Sequence, residues 1–146
     1  MAINNPVDSS IFDLVTTIIP DPAVGDDIVW ACPDNSRIEI LYLGFIFDTD
    51  ANAADRYITI NSTTPALAQL MGASAIVQTA SLTWGRAFVA GLPQEVDHSA
   101  ITVVITPISP NLILEPGDNL ETGVHNIQAT DHINSIITRY RQWIIA

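Results

Sequence analysis

Asp48-Thr49-Asp50-Ala51-Asn52 places oxygen-bearing side chains at alternate positions, the pattern that opens a loop around a hard cation such as calcium. Asp55 adds a further carboxylate. The match then stops. Such loops need Gly at the sixth position, where Ala53 stands, and Glu at the twelfth, where Thr59 stands. Asp48, Asp50, Asn52 and Asp55 therefore read as the polar tip of a hairpin, whose side chains bond their own backbone, with no metal bound.

The histidines do not supply a metal centre either. His98, His125 and His132 are widely spaced, and no HxH or HxxxH pair exists to seed a zinc site or the paired ligands of a cupin strand. Nucleophile elbows, phosphate-binding loops and GxGxxG turns are absent. No lysine occurs anywhere in the chain, which removes Schiff-base chemistry and a lysine general base. Carboxylates abound, yet nothing singles out one pair as acid and base. The expectation is a protein that is not an enzyme and uses no cofactor.

One cluster points to binding. Arg139-Tyr140-Arg141-Gln142-Trp143 is the only place where cations gather, and in an extended strand Arg139, Arg141 and Trp143 share a face. Arg and Trp are enriched at protein–protein contacts, and the planar guanidinium pairs well with carboxylates. The rival reading has the arginines reaching solvent while Trp143 caps the core. Ile3 and Pro6, in an Asn- and Ser-rich opening stretch, are further candidates for contact between subunits.

Composition agrees with assembly. Five arginines stand against sixteen acids, a net charge of −11 over 146 residues, which repels nucleic acid. Charged residues make up 14% of the chain and hydrophobic ones 48%, against roughly 25% charged in ordinary domains. So little charge leaves little with which to coat a free surface, and neighbouring subunits are expected to cover much of it. Cys32 is single and sits beside Val29, Trp30 and Ala31, as a small core residue would. No signal peptide is legible at the N-terminus, and no apolar run reaches the ~18 residues of a membrane helix. Synthesis in a cytoplasm and no membrane partner are expected.

These residues must be carried by strands. Short β-branched and aromatic runs recur between Pro, Gly, Asn and Asp, with little helical periodicity. Strands are expected over residues 12–19, 28–32, 37–47, 56–61, 101–106, 112–114, 120–124 and 133–145. Residues 76–89 should give one or two strands, broken at Gly85. Residues 65–72 fit a helical turn or a loop equally. Pro116-Gly117 reads as a type II turn. Eight or nine strands without a βαβ rhythm predict an all-β fold: a single-domain antiparallel β-sandwich or jelly roll, residues 12–146, with an extended N-terminal arm, residues 1–11.

With those elements in place, the chain resembles the small virion structural proteins of tailed bacteriophages. The likeness runs over roughly residues 28–146: a long strand into Asp48-Thr49-Asp50-Ala51-Asn52-Ala53-Ala54-Asp55-Arg56, the alternating Tyr57-Ile58-Thr59-Ile60, then Leu114-Glu115-Pro116-Gly117-Asp118-Asn119-Leu120, Asn126-Ile127-Gln128-Ala129-Thr130-Asp131, and a final strand closing on Trp143. The resemblance implies a β-sandwich of the virion and no catalytic residues. It leads to the expectation of a capsid decoration or cement protein that binds the outer head surface. Its partners would be the major capsid protein and copies of itself, closing as a trimer. The alternative is a tail or fibre component whose β-sandwich recognises a host glycan.

Overall fold

A computed structural model describes residues 12–64, 68–98, 101–110 and 113–145. The expected arm, residues 1–11, with Ile3 and Pro6, lies outside the described residues. Among those described, eleven strands form: β1 (Asp13–Ile19), β2 (Val29–Ala31), β3 (Ser36–Asp48), β4 (Tyr57–Thr63), β5 (Ala68–Ala73), β6 (Thr83–Ala90), β7 (Glu95–Asp97), β8 (Val103–Ile108), β9 (Ile113–Leu114), β10 (Asn119–His125) and β11 (His132–Ile144).

They build two packed sheets. The larger has seven strands in the order β1-β11-β3-β6-β8-β7, with β9 pairing the start of β3; the smaller runs β2-β10-β4-β5. The expected β-sandwich is what forms. A jelly roll is a narrower plan than this strand order by itself supplies. Alternation decides which residues line the interior. On β3, Ile38, Ile40, Leu43, Phe45 and Phe47 turn inward, and Ile58, Ile60, Met71, Leu120 and Val124 meet them from the smaller sheet. Phe45 stacks on Phe88 within the larger sheet, and Tyr140 meets Trp30 of the smaller sheet at a tilt of 45° across the core.

Several local expectations are corrected. One pair is parallel, β6 with β8. The chain leaves β6, skips a slot to lay down β7, and returns as β8 between the two. Gly85 does not break β6; a Cβ there would sit 3.0 Å from Val103 Cγ2, so glycine lets β8 close on its neighbour. Residues 68–73 are a strand, not a helical turn. Pro107 continues β8, because β7 pairs only as far as Ile105 and no ladder donor is needed there. The Pro116-Gly117 turn is as expected: Asp118 N–H donates to Glu115 O at 3.0 Å, and Gly117 has φ +90°.

Candidate functional site

The Asp48–Asn52 stretch does have a cation at its centre, and it is the guanidinium of Arg56. Arg56 Nε and Nη2 grip the two oxygens of Asp131 at 3.0 and 2.9 Å, and Nη2 also donates to Asp50 Oδ1 at 2.7 Å. Nη1 donates to the carbonyls of Asn52 and Ala54, both at 2.9 Å. All five donors of the fork are used. Arg56 and Asp131 are fully buried, so the pairing satisfies two charges that could not be left alone.

Around this clamp the candidate cation ligands are dispersed. The Asp50 carboxylate also accepts from Thr130 Oγ1, Asn52 N and Asn52 Nδ2. The Thr130 hydroxyl, the Asn52 donors and Arg56 together hold its carboxyl down at about 2, against some desolvation. Asp48 Oδ2 accepts from Asn134 Nδ2, and Asp55 is exposed, with its carbonyl bonded to Asn126 Nδ2. Among the described residues no group of three or more His, Cys, Asp and Glu is placed to hold a metal ion. His98 bonds Thr102, His125 stacks on Tyr57, and His132 opens β11. Cys32 is buried beside the carbonyls of Ser36 and Leu114, and burial, followed by Asp118, Glu115 and Asp34, pushes its thiol up to about 11.

The C-terminal cluster is brought together as expected, on the outer face of the larger sheet. Arg139 Nε donates to Thr16 Oγ1 at 3.3 Å across the β1–β11 ladder. Arg141 Nη1 reaches both oxygens of Glu39, at 3.2 and 3.1 Å, and its guanidinium lies 5.4 Å from the centre of the Phe12 ring. Phe12 in turn covers Trp143, with ring centres 5.8 Å apart. Trp143 is thereby buried beneath Phe12, which is itself 42% exposed.

What lies open on this face is aliphatic. Leu14 and Ile18 of β1 are 62% and 77% exposed, and Ile137 on β11, directly opposite Ile18, is 43% exposed. Towards β8 the face continues through Tyr42, Ile46, Ala87, Val103 and Ile101 around a shallow depression of about 230 Å³. The Tyr42 ring lies across Gly44, where a Cβ would overlap it. Isolated exposed aliphatics need no explanation, but a contiguous group does. The smaller sheet turns a different chemistry outward. Thr59, Asn61 and Thr63 on β4 face Gly123 and Glu121 on β10, joined by Thr63 Oγ1 to Glu121 at 2.9 Å and Thr59 Oγ1 to Gly123 O at 3.2 Å. The outer face of the smaller sheet is thus polar along its centre, with Val29 and Leu70 exposed at its flanks.

Sequence reasoning found the Arg139–Trp143 face but missed β1 as its exposed part, although Leu14, Thr16 and Ile18 alternate in the sequence. Comparison with known proteins gives no further guide: no family model, no curated protein and no solved structure matches this chain.

Proposed function

We propose that this chain is a structural protein of a virion, a capsid decoration or cement protein that binds the outer head surface through the outer face of its larger sheet. The observation that carries the reading is the group of aliphatic side chains open on the larger sheet, Leu14, Ile18 and Ile137, beside Arg139 and Arg141; on the smaller sheet Val29 and Leu70 are exposed too, but a Thr, Asn and Glu ladder separates them. A protein lying on a particle needs one face to bury and one to leave in water. Burial of the aliphatic face would drive attachment at about 25 cal/mol per Å² before association costs. The −11 charge suits an outward position, away from packaged nucleic acid. The major capsid protein and other copies of the chain are the partners in this reading, and no catalytic step enters it.

Co-sedimentation with heads lacking the protein tests it. Wild type should pellet with heads at saturating stoichiometry, and Ile137→Glu should weaken binding at least tenfold with the fold intact. Equal binding by both would remove the proposed face.

One observation favours the second reading, a glycan-binding tail or fibre module. Tyr57 and His125 stack at 4.4 Å in the open at one end of the smaller sheet, near Asp55 and Asn126. An exposed ring beside polar side chains suits a sugar face. Glycan-array binding lost in Tyr57→Ala would support this reading, and an empty array would remove it.

A further inference from the structure

Among the described residues the two strand orders end in four edge strands, β1 and β7 on the larger sheet and β2 and β5 on the smaller, and the two-residue β9 is a further short edge beside β3. Three of them are poor templates for another strand. β7 is three residues long with Glu95 and Asp97 at its ends, β2 is three residues long, and β5 is irregular against β4. Short, charged or bulged edges are how soluble sheets avoid pairing with other chains. β1 has none of these guards. Asp13–Ile19 runs seven residues in unbroken register with β11, contains no proline, and carries no charge after Asp13. One row of its backbone N–H and C=O groups bonds β11, and no described strand pairs with the other row.

We infer that β1 pairs antiparallel with β1 of a second copy, about a two-fold axis at Thr16, and joins two larger sheets into one. The strand is self-complementary in that register. Leu14 of each copy falls opposite Ile18 of the other, so the two most exposed aliphatic side chains of the strand cover one another twice on the outer face. Val15 meets Thr17 on the inner face. Asp13 meets Ile19 rather than another acid, and all seven residues are paired.

The charge pattern fits a second copy. Molecules of net charge −11 repel unless they meet where acid is scarce. Over β1 and β11 the outer face carries Arg139 and Arg141 and no carboxylate, and the neighbouring Glu39 on β3 is already held by Arg141 at 3.1 Å. An isologous contact of this kind makes a two-fold pair, not the trimer expected from general symmetry preferences.

The inference rests on the assembly reading and names its self-contact. It is tested on the isolated full-length protein, so its failure leaves the head-binding experiment standing on its own. Sedimentation equilibrium at micromolar concentration should give twice the chain mass of 15.8 kDa. Leu14→Asp and Ile18→Lys, at exposed positions, should each raise the dissociation constant at least tenfold while the circular dichroism of the folded chain stays unchanged. The double variant L14D/I18K sets the introduced carboxylate opposite the introduced ammonium in both pairs, and should recover the dimer. A wild-type monomer or trimer, single variants that remain dimeric, or a double variant that stays dissociated would each overturn the inference.

Discussion

Arg56 spends all five of its donors on holding two loops together. It ties the loop after β3 to the loop before β11, and Asp131 extends the tie by accepting from Asp50 N and Gln128 N, both at 2.8 Å. Arg56→Ala would leave the Asp131 carboxylate buried without its counter-ion, held only by two backbone N–H groups, and should cost about 3–5 kcal/mol by chemical denaturation. Arg56→Lys keeps the charge but cannot reproduce the five-donor fork, and should still cost about 2–3 kcal/mol. The Asp50 carboxyl, depressed to about 2, gives stability that is complete above the ordinary carboxylate value of 3.8 and is lost as pH falls through about 2. Asp50→Asn should remove that acid window from a pH series of unfolding midpoints. Asp27 has the opposite sign. Burial raises its carboxyl although Thr122 Oγ1 and Val124 N donate to it, so its ionised form works against the fold at neutral pH. Asp27→Asn, whose carbonyl can accept both bonds, should raise the midpoint at pH 7 and leave it unchanged in strong acid. Arg86 is the remaining buried cation. It bonds Gln78 Oε1, Ser74 Oγ and the Ile76 carbonyl, its Nη2 has no hydrogen-bond partner among the described residues, and desolvation lowers its guanidinium to about 10.

At the scale of elements, the sequence was most legible where alternation and turn chemistry agreed. Residues 37–47 announce β3 by the alternation of Ile38 and Ile40 with Arg37 and Glu39 and the apolar run from Leu41 to Phe47, and Pro116-Gly117 announces its turn by the positive φ that glycine alone adopts freely. Gly117→Ala should therefore cost about 1 kcal/mol, measurable as a lowered melting temperature. Legibility failed where a partner far along the chain decides the outcome. Gly85 looks like a breaker until Val103 is placed against it, and residues 68–73 become a strand only because β4 offers an edge. The oxygen-rich loop misleads for the same reason: Asp50 lies close to Arg56 in sequence, whereas Asp131 lies 75 residues away. β7, three residues with two acids, has too little apolar pattern to register as a strand. The face carrying Arg139 and Arg141 was legible because period-two spacing is local. The burial of Trp143 beneath Phe12 was not, since it depends on β1 lying beside β11.

For the whole molecule, the two faces of one sandwich explain the odd composition. A chain with 48% hydrophobic and 14% charged residues fills its core and still has aliphatic side chains to place outside. Leu14, Ile18 and Ile137 gather on the larger sheet and its unguarded edge, Val29 and Leu70 lie on the smaller, and the few charges are tied into Arg56–Asp131, Arg141–Glu39 and Arg37–Glu115 or spread over loops. On the proposed reading, the aliphatic group on the larger sheet is the surface a subunit buries on a particle. Cryo-electron microscopy of heads lacking the protein, incubated with the purified chain, tests that claim most directly. The account predicts regular density at capsid symmetry positions, with the larger sheet turned to the shell and the Thr59–Asn61–Thr63 face outward. Bare heads, or attachment through the smaller sheet, would contradict it.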